Sequence, residues 1–283
     1  MTGLEEMELS VGGGMSFRVR ATGPADGRLV ILLHGFPQTS MSWSAVMDAL
    51  GGSGFRAVAF DLRGYSPGAR PDDVDAYRAE HLVADVVAVA DELASHRFDL
   101  VGHDWGGAIA WFVAGAHPDR VRTLTVASTP HPVAFGAAVR GELGGDQPAK
   151  SAYADFFRTP EAEAFFLQDG AAALRGMFAA LPAEATDDYV RVLSDPGAMT
   201  GALNYYRANP FGALGDPGPI TSPTLYVWST DDMALGREAA EASGSHVSGP
   251  YRFEVLEGVS HWVPDEAAAD FSRLLGEHLA AHP

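Results

Sequence analysis

Six residues constrain this chain more than any others: Gly102-His103-Asp104-Trp105-Gly106-Gly107. They follow an apolar strand-like run, Phe98-Asp99-Leu100-Val101, and lead into a helix-like run, Ala108-Ile109-Ala110-Trp111-Phe112-Val113. Small residues on both sides of a centre are what a very tight strand-to-helix turn requires. Such a turn lifts its apex side chain clear of the backbone, and here the apex is Asp104. Taken alone, Asp104 is equally a good N-cap, because an aspartate at a helix start accepts backbone N–H bonds. The choice between a cap and a chemical group depends on what the rest of the chain brings to it.

The chain has 283 residues, enough for one large α/β domain or for one domain carrying an insertion. Residues 4–11 and 16–21 read as a hairpin closed by Gly12-Gly13-Gly14. Strand-like and helix-like segments then alternate. Residues 29–33, 55–62, 98–101 and 121–127 are apolar runs of the kind expected of strands buried on both faces. Leu82, Val86, Val89 and Leu93 share one helix face, as do Phe271, Leu274, Leu275 and Leu279. This pattern implies a doubly wound, mostly parallel sheet with helices on both faces.

The alternation lapses over residues 131–221, which are helical in character, rich in alanine and without a buried-strand run. It resumes at residues 223–228 and 253–256. We therefore expect a core of residues 1–130 and 222–283. Residues 131–221 would form a helical cap over the carboxyl edge of the sheet, where open α/β sheets bind ligands. The loop over residues 141–150 is expected to help shape the cavity.

With 37 acidic against 19 basic residues the net charge is −18, which argues against nucleic acid and anionic membranes as partners. Cysteine is absent, so disulfides, thiolate metal ligands and a cysteine nucleophile are excluded. Residues 1–10 are acidic and do not read as a signal peptide, and no apolar run reaches the length of a membrane span. A cytoplasmic location is expected. No carboxylate–histidine cluster has metal spacing and no phosphate-binding glycine motif occurs, so we infer no cofactor and no metal. Homo-oligomerisation is left open.

Two further features favour chemistry at Asp104. His34-Gly35-Phe36-Pro37 directly follows the strand at residues 29–33. A backbone N–H from such a loop pairs with the N–H of the residue after a nucleophile to hold an oxyanion, which assigns the donors to Phe36 and Trp105. Gly35 permits close approach, and Pro37 rigidifies the loop, a candidate for a cis bond. Late in the chain, Ser229-Thr230-Asp231-Asp232 and Gly258-Val259-Ser260-His261-Trp262 each follow a strand candidate, at the same sheet edge as Asp104. The order nucleophile, acid, histidine makes His261 the general base. Asp232 is the favoured acid; Asp231 is the alternative, unless it caps the next helix.

With these residues in hand the chain resembles the α/β-hydrolase superfamily along nearly its whole length, and within it the epoxide hydrolases. The resemblance rests on His34-Gly35-Phe36-Pro37, Asp61-Leu62-Arg63-Gly64-Tyr65, Gly102-His103-Asp104-Trp105-Gly106-Gly107, Leu203-Asn204-Tyr205-Tyr206-Arg207, Asp232 and His261-Trp262. It implies an eight-stranded sheet, an aspartate nucleophile in place of serine, and two cap tyrosines acting as acids towards an epoxide oxygen. Those positions map to Tyr206 and, before Phe156-Phe157-Arg158-Thr159-Pro160, to Tyr153. Asp61 and Arg63 are expected to stabilise core loops, and His103 to point away from the cavity.

The implied reaction takes a small hydrophobic epoxide and water to a vicinal diol through an aspartyl ester. Haloalkane and haloacid dehalogenases, close relatives with the same nucleophile, are the alternative. The former commonly carry asparagine where Phe36 stands and often a cap tryptophan, whereas all five tryptophans here (Trp43, Trp105, Trp111, Trp228, Trp262) lie outside residues 131–221. Fluoroacetate dehalogenases place arginine where this chain has Trp105. A ligand-binding protein on the same scaffold is a further alternative, which has no need of Asp104, Asp232 and His261 together.

Overall fold

The computed structural model describes residues 4–283; the first three residues of the amino-terminal segment considered above lie outside it. Strands β1 (Glu5–Ser10) and β2 (Ser16–Thr22) form the antiparallel hairpin, turned at Gly12–Gly14. Then follow β3 (Leu29–Leu33), α1 (Ser44–Gly52), β4 (Arg56–Phe60), α2 (Ala79–Glu92), β5 (Phe98–His103), α3 (Trp105–Ala116) and β6 (Val121–Ala127). Six helices come next: α4 (Pro132–Val139), α5 (Gln147–Lys150), α6 (Tyr153–Phe157), α7 (Ala162–Met177), α8 (Ala183–Leu193) and α9 (Ala198–Ala208). The chain closes with β7 (Thr224–Asp231), α10 (Arg237–Ala242), β8 (Tyr251–Ser260), α11 (Val263–Glu266) and α12 (Ala268–Ala281).

The eight strands form one sheet in the order β1-β2-β4-β3-β5-β6-β7-β8. Pairing is parallel from β4 through β8, and antiparallel only where β2 meets β1 and β4. The unbroken apolar runs follow from burial on both faces. Along β3, Ile31 and Leu33 face one core with residues of α2 and α3, while Val30 and Leu32 face a second core with residues of α1 and α12. Every residue of β3 and β5 is buried.

The last two strands are longer than their apolar runs. Strand β7 continues through Ser229-Thr230-Asp231 and β8 through Ser260, and Asp231 pairs with Ser260. These ends are polar and partly exposed, so no apolar pattern marks them. Asp231 is thus a strand residue, not the cap of the next helix: α10 begins after Gly236. Among the described residues no helix is long and apolar enough to cross a membrane.

The fold brings the carboxyl ends of β3, β5, β7 and β8 to one edge of the sheet. All candidate residues outside the helical insertion sit there.

Candidate active site

Asp104 stands between β5 and α3 with φ 51° and ψ −122°. A non-glycine residue held there costs on the order of 1–3 kcal/mol, so its surroundings must enforce it. They do. A Cβ at Gly106 would lie 2.2 Å from the Leu33 carbonyl oxygen, so only glycine lets α3 start this close to β3. The Asp104 carbonyl accepts from Thr129 Oγ1 at 2.7 Å and from the Ala108 amide at 3.0 Å. The carboxylate makes no capping bond to α3. It turns away from the helix to the loop after β3, and the capping role is excluded.

That loop meets it with a donor: the Phe36 amide is 2.7 Å from Asp104 Oδ1. The backbone N–H of Trp105 also favours the charged carboxylate. A Cβ on Gly35 would lie 2.2 Å from the Asp104 Cβ, so this approach again needs glycine. The Phe36–Pro37 bond is cis. His34 anchors the loop. Its Nε2 accepts the Leu62 amide at 3.0 Å, which leaves the proton on Nδ1, 3.0 Å from the Gly35 carbonyl. Asp61 accepts from the amide and hydroxyl of Ser40 at 2.9 and 2.7 Å, and Arg63 forks onto buried Asp85 at 2.6 and 2.7 Å. Both residues hold loops in place, as anticipated.

His261 follows β8. Its Nδ1 lies 2.8 Å from Asp232 Oδ2 and its Nε2 3.6 Å from Asp104 Oδ2. Asp232 Oδ1 accepts the amides of Ala234 and Leu235 at 2.8 and 2.9 Å, so both carboxylate oxygens are occupied. Asp231 is exposed, its carboxylate accepting the Thr230 hydroxyl at 3.2 Å, and takes no part in this cluster. Burial disfavours the His261 cation, but Asp232 and Asp104 outweigh it and hold the ring up at about 10. Burial pushes the Asp104 carboxyl up; the hydrogen bond and charge of His261 and the Trp105 amide more than offset this and keep it below the ordinary value. Beneath the site, His103 Nε2 lies 2.8 Å from the His261 carbonyl, and burial together with His261 lowers its ring to about 3. A neutral His103 therefore donates to that carbonyl and supports the loop from outside the cavity.

The helical insertion closes the site. An apolar cavity of about 180 Å³ is walled by Asp104, His261, Phe36, Trp262, Tyr153 and Tyr206, among others. Tyr206 packs edge-to-face on Phe36, Trp105 and Phe157, with ring centroids 5.4, 5.2 and 5.1 Å away. Its neighbour Tyr205 faces the other way and donates to the Arg63 carbonyl at 2.8 Å. The Tyr206 ring also meets that of Tyr153, with centroids 6.3 Å apart, and the neighbouring Trp105 indole favours the ionised form of Tyr206. Burial, with Asp104 adding its charge, raises both phenols far above the ordinary range, so both stay protonated.

The loop over residues 141–150 lines no wall of this cavity. It works from behind. Lys150 Nζ donates to the Asp232 carbonyl at 2.7 Å, and Gln147 bonds the Gly236 amide at 2.7 Å and the Ala234 carbonyl at 2.8 Å. These supports, Thr129 and the indole of Trp105 escaped the sequence reading, because partners far apart in the chain leave no local pattern. Among the described residues no group of three or more histidine, aspartate or glutamate side chains is arranged to hold a metal ion.

The chain and its fold are matched by known proteins. The sequence model of the alpha/beta hydrolase fold family matches residues 28–268. The chain belongs to the α/β-hydrolase family. Its relatives place it on the epoxide hydrolase branch. It is 32% identical over 279 residues to epoxide hydrolase 4 of Homo sapiens, covering 94% of this chain and 76% of that protein. It is also 32% identical over 274 residues to the AB hydrolase superfamily protein YfhM of Bacillus subtilis, covering 94% and 95%. Among solved structures, an epoxide hydrolase from hot-environment metagenomes superposes with a TM-score of 0.86 at 30% identity, covering 99% of this chain and all of that one. The epoxide hydrolase A of Mycobacterium thermoresistibile gives 0.86 at 28% identity, covering 98% of each chain.

Proposed function

We propose that this enzyme hydrolyses epoxides to vicinal diols through a covalent ester on Asp104. The observation that carries the reading is one apolar cavity with an ionised carboxylate on its floor and two protonated phenols, Tyr153 and Tyr206, in its walls. An alkoxide is a poor leaving group, and a phenol O–H supplies the proton that ring opening needs. Residues 1–130 and 222–283 then act as the catalytic core and residues 131–221 as a cap that carries the acids. The lack of cysteine suits a reducing cytoplasm, the compartment of this reading.

In the first step Asp104 Oδ2 attacks an epoxide carbon, the C–O bond breaks, and a tyrosine proton passes to the oxygen. The product is a neutral hydroxyalkyl ester. In the second step His261, oriented by Asp232, takes a proton from water, and the hydroxide adds to the ester carbonyl carbon. Negative charge builds on Oδ1, where the amides of Phe36 and Trp105 receive it. Collapse breaks the bond to Oδ2, the alkoxide takes the proton that His261 removed from water, and the diol leaves. The Asp104 carboxyl passes its remaining proton to the tyrosinate left by the first step. Asp104 is a carboxylate again.

Halide chemistry uses the same nucleophile but needs N–H donors for the departing ion. The Trp105 indole, the obvious donor, is covered by the Tyr206 ring, which packs edge-to-face on it at 5.2 Å. This favours the epoxide reading. The test is His261→Gln exposed to styrene oxide: the protein should gain the mass of one epoxide, located on the peptide containing Asp104. Protein that stays unmodified while the wild type makes no diol sinks the proposal.

A further inference from the structure

We infer that this site selects apolar epoxides substituted on one ring carbon only, because the cavity has two unequal arms that meet at the reacting groups. This rests on the epoxide reading above. Asp104 and Tyr153 wall the cavity of about 180 Å³ and also a second one of about 30 Å³. The two share no other lining residue. Nucleophile and acid therefore stand at a junction. An epoxide ring held between them sends the substituents of its two carbons in two directions.

The sizes decide what each arm takes. A buried apolar cavity of about 150 Å³ holds a benzene, while one of about 10–15 Å³ already holds a single water. The wide arm accommodates a phenyl ring or a chain of similar bulk. The narrow arm has room for hydrogen, or at most a methyl group.

The arms also differ in how far they yield. The wide arm ends at Met177, Trp262 and Met233, and Met233 is 71% exposed. Two unbranched thioethers at a mouth move aside at little cost. The narrow arm is walled by Leu235, Phe211, Phe135 and Pro132. Leu235 is clamped through its backbone: its amide donates to Asp232 Oδ1 at 2.9 Å, and its carbonyl accepts the Trp228 indole at 3.1 Å. Phe211 packs on Phe135 and Trp105 with centroids 5.1 and 5.9 Å away. Moving these walls as a whole would shift the Asp232 loop or the Trp105 ring, so in the wild type the arm does not yield to a bulky substituent. The wide arm is apolar, and a charged or hydroxyl-rich substituent entering it would lose its hydration unpaired.

The test compares kcat/KM for styrene oxide, trans-β-methylstyrene oxide and trans-stilbene oxide. In the wild type, stilbene oxide should fall about a hundredfold or more below styrene oxide, since even one methylene too many changes such ratios by about 10–200-fold. The methyl compound should fall between them. Leu235→Ala and Phe211→Ala should each raise stilbene oxide relative to styrene oxide by about tenfold or more. Leu235→Ala keeps the backbone bond to Asp232, so its chemistry should persist. Comparable wild-type rates for styrene and stilbene oxides overturn the inference and leave the epoxide reading intact. Diol from none of the three overturns both. The wild-type ranking decides the matter even where a variant fails to fold.

Discussion

The Phe36 amide donates to Oδ1 of Asp104 at 2.7 Å, while Oδ2 faces His261 at 3.6 Å. The two oxygens of one carboxylate are therefore already distinguished before substrate arrives. Oδ1 accepts the loop amide, and Oδ2 lies beside the His261 ring.

This division predicts the fate of water oxygen. If Oδ2 attacks and water later adds to the ester carbonyl, the bond broken on collapse is the one between that carbon and Oδ2. In a single turnover in heavy-oxygen water, Asp104 should acquire one labelled oxygen and the diol none. Label should reach the diol only in later turnovers. Peptide mass spectrometry on the segment containing Asp104, alongside mass analysis of the diol, makes the measurement. Label in the first diol and not in Asp104 would mean direct attack by water on the epoxide.

In the proposed mechanism Trp105 has two separable roles, one for each step. Its backbone amide serves the oxyanion. Its indole N–H, on a ring whose centroid is 5.2 Å from that of Tyr206, supports the acid. Trp105→Phe keeps the first and deletes the second. A neutral hydrogen bond contributes about 0.5–1.5 kcal/mol, so ester formation should slow by about two- to tenfold. Ester hydrolysis should be unchanged. Stopped-flow fluorescence with quenched-flow product analysis resolves the two rates. A slowed hydrolysis with normal ester formation would reverse the assignment. Tyr206→Phe should slow ester formation further, about a hundredfold or more, because it removes the proposed acid.

Much of this site is legible in the sequence where geometry forces residue choice. Gly35 and Gly106 announce themselves because a Cβ on Gly35 would collide with Asp104 and one on Gly106 with the Leu33 carbonyl. Strands β3 and β5 are visible because burial on both faces makes them mainly apolar, with Asp99 of β5 paired to Arg28. The ends of β7 and β8 are not visible, because Asp231 and Ser260 pair with each other at an exposed edge. Lys150 and Gln147 are hidden for another reason. Their partners, Asp232 and Gly236, lie 82 and 89 positions away, and no local period encodes a bond of that span. The same holds for Tyr189 of α8, whose hydroxyl donates to Asp265 of α11 at 3.0 Å and ties the insertion to the segment after His261. The inequality of the two arms is likewise a property of packed volume, which a residue pattern does not carry.

The charge on His261 should set two opposite pH dependences. In the free enzyme burial opposes the cation, but Asp232 at 2.8 Å and Asp104 at 3.6 Å hold the ring at about 10, against an ordinary 6.5. Forming the ester turns Asp104 neutral and removes one of those two attractions. The ring's affinity for its proton then falls, and it becomes a base for water. The rate of ester hydrolysis should rise with pH and level off well below 10. Stability of the free enzyme should run the other way. The folded state binds this proton more tightly than the unfolded chain, so the stabilisation is complete below about 6.5 and is lost as pH rises through about 10. The Tm of the wild type should fall over that window by more than the Tm of His261→Gln, which has no such proton to lose. Calorimetry on both proteins across the window makes the comparison. Parallel declines would show that the paired imidazolium does not contribute to the fold.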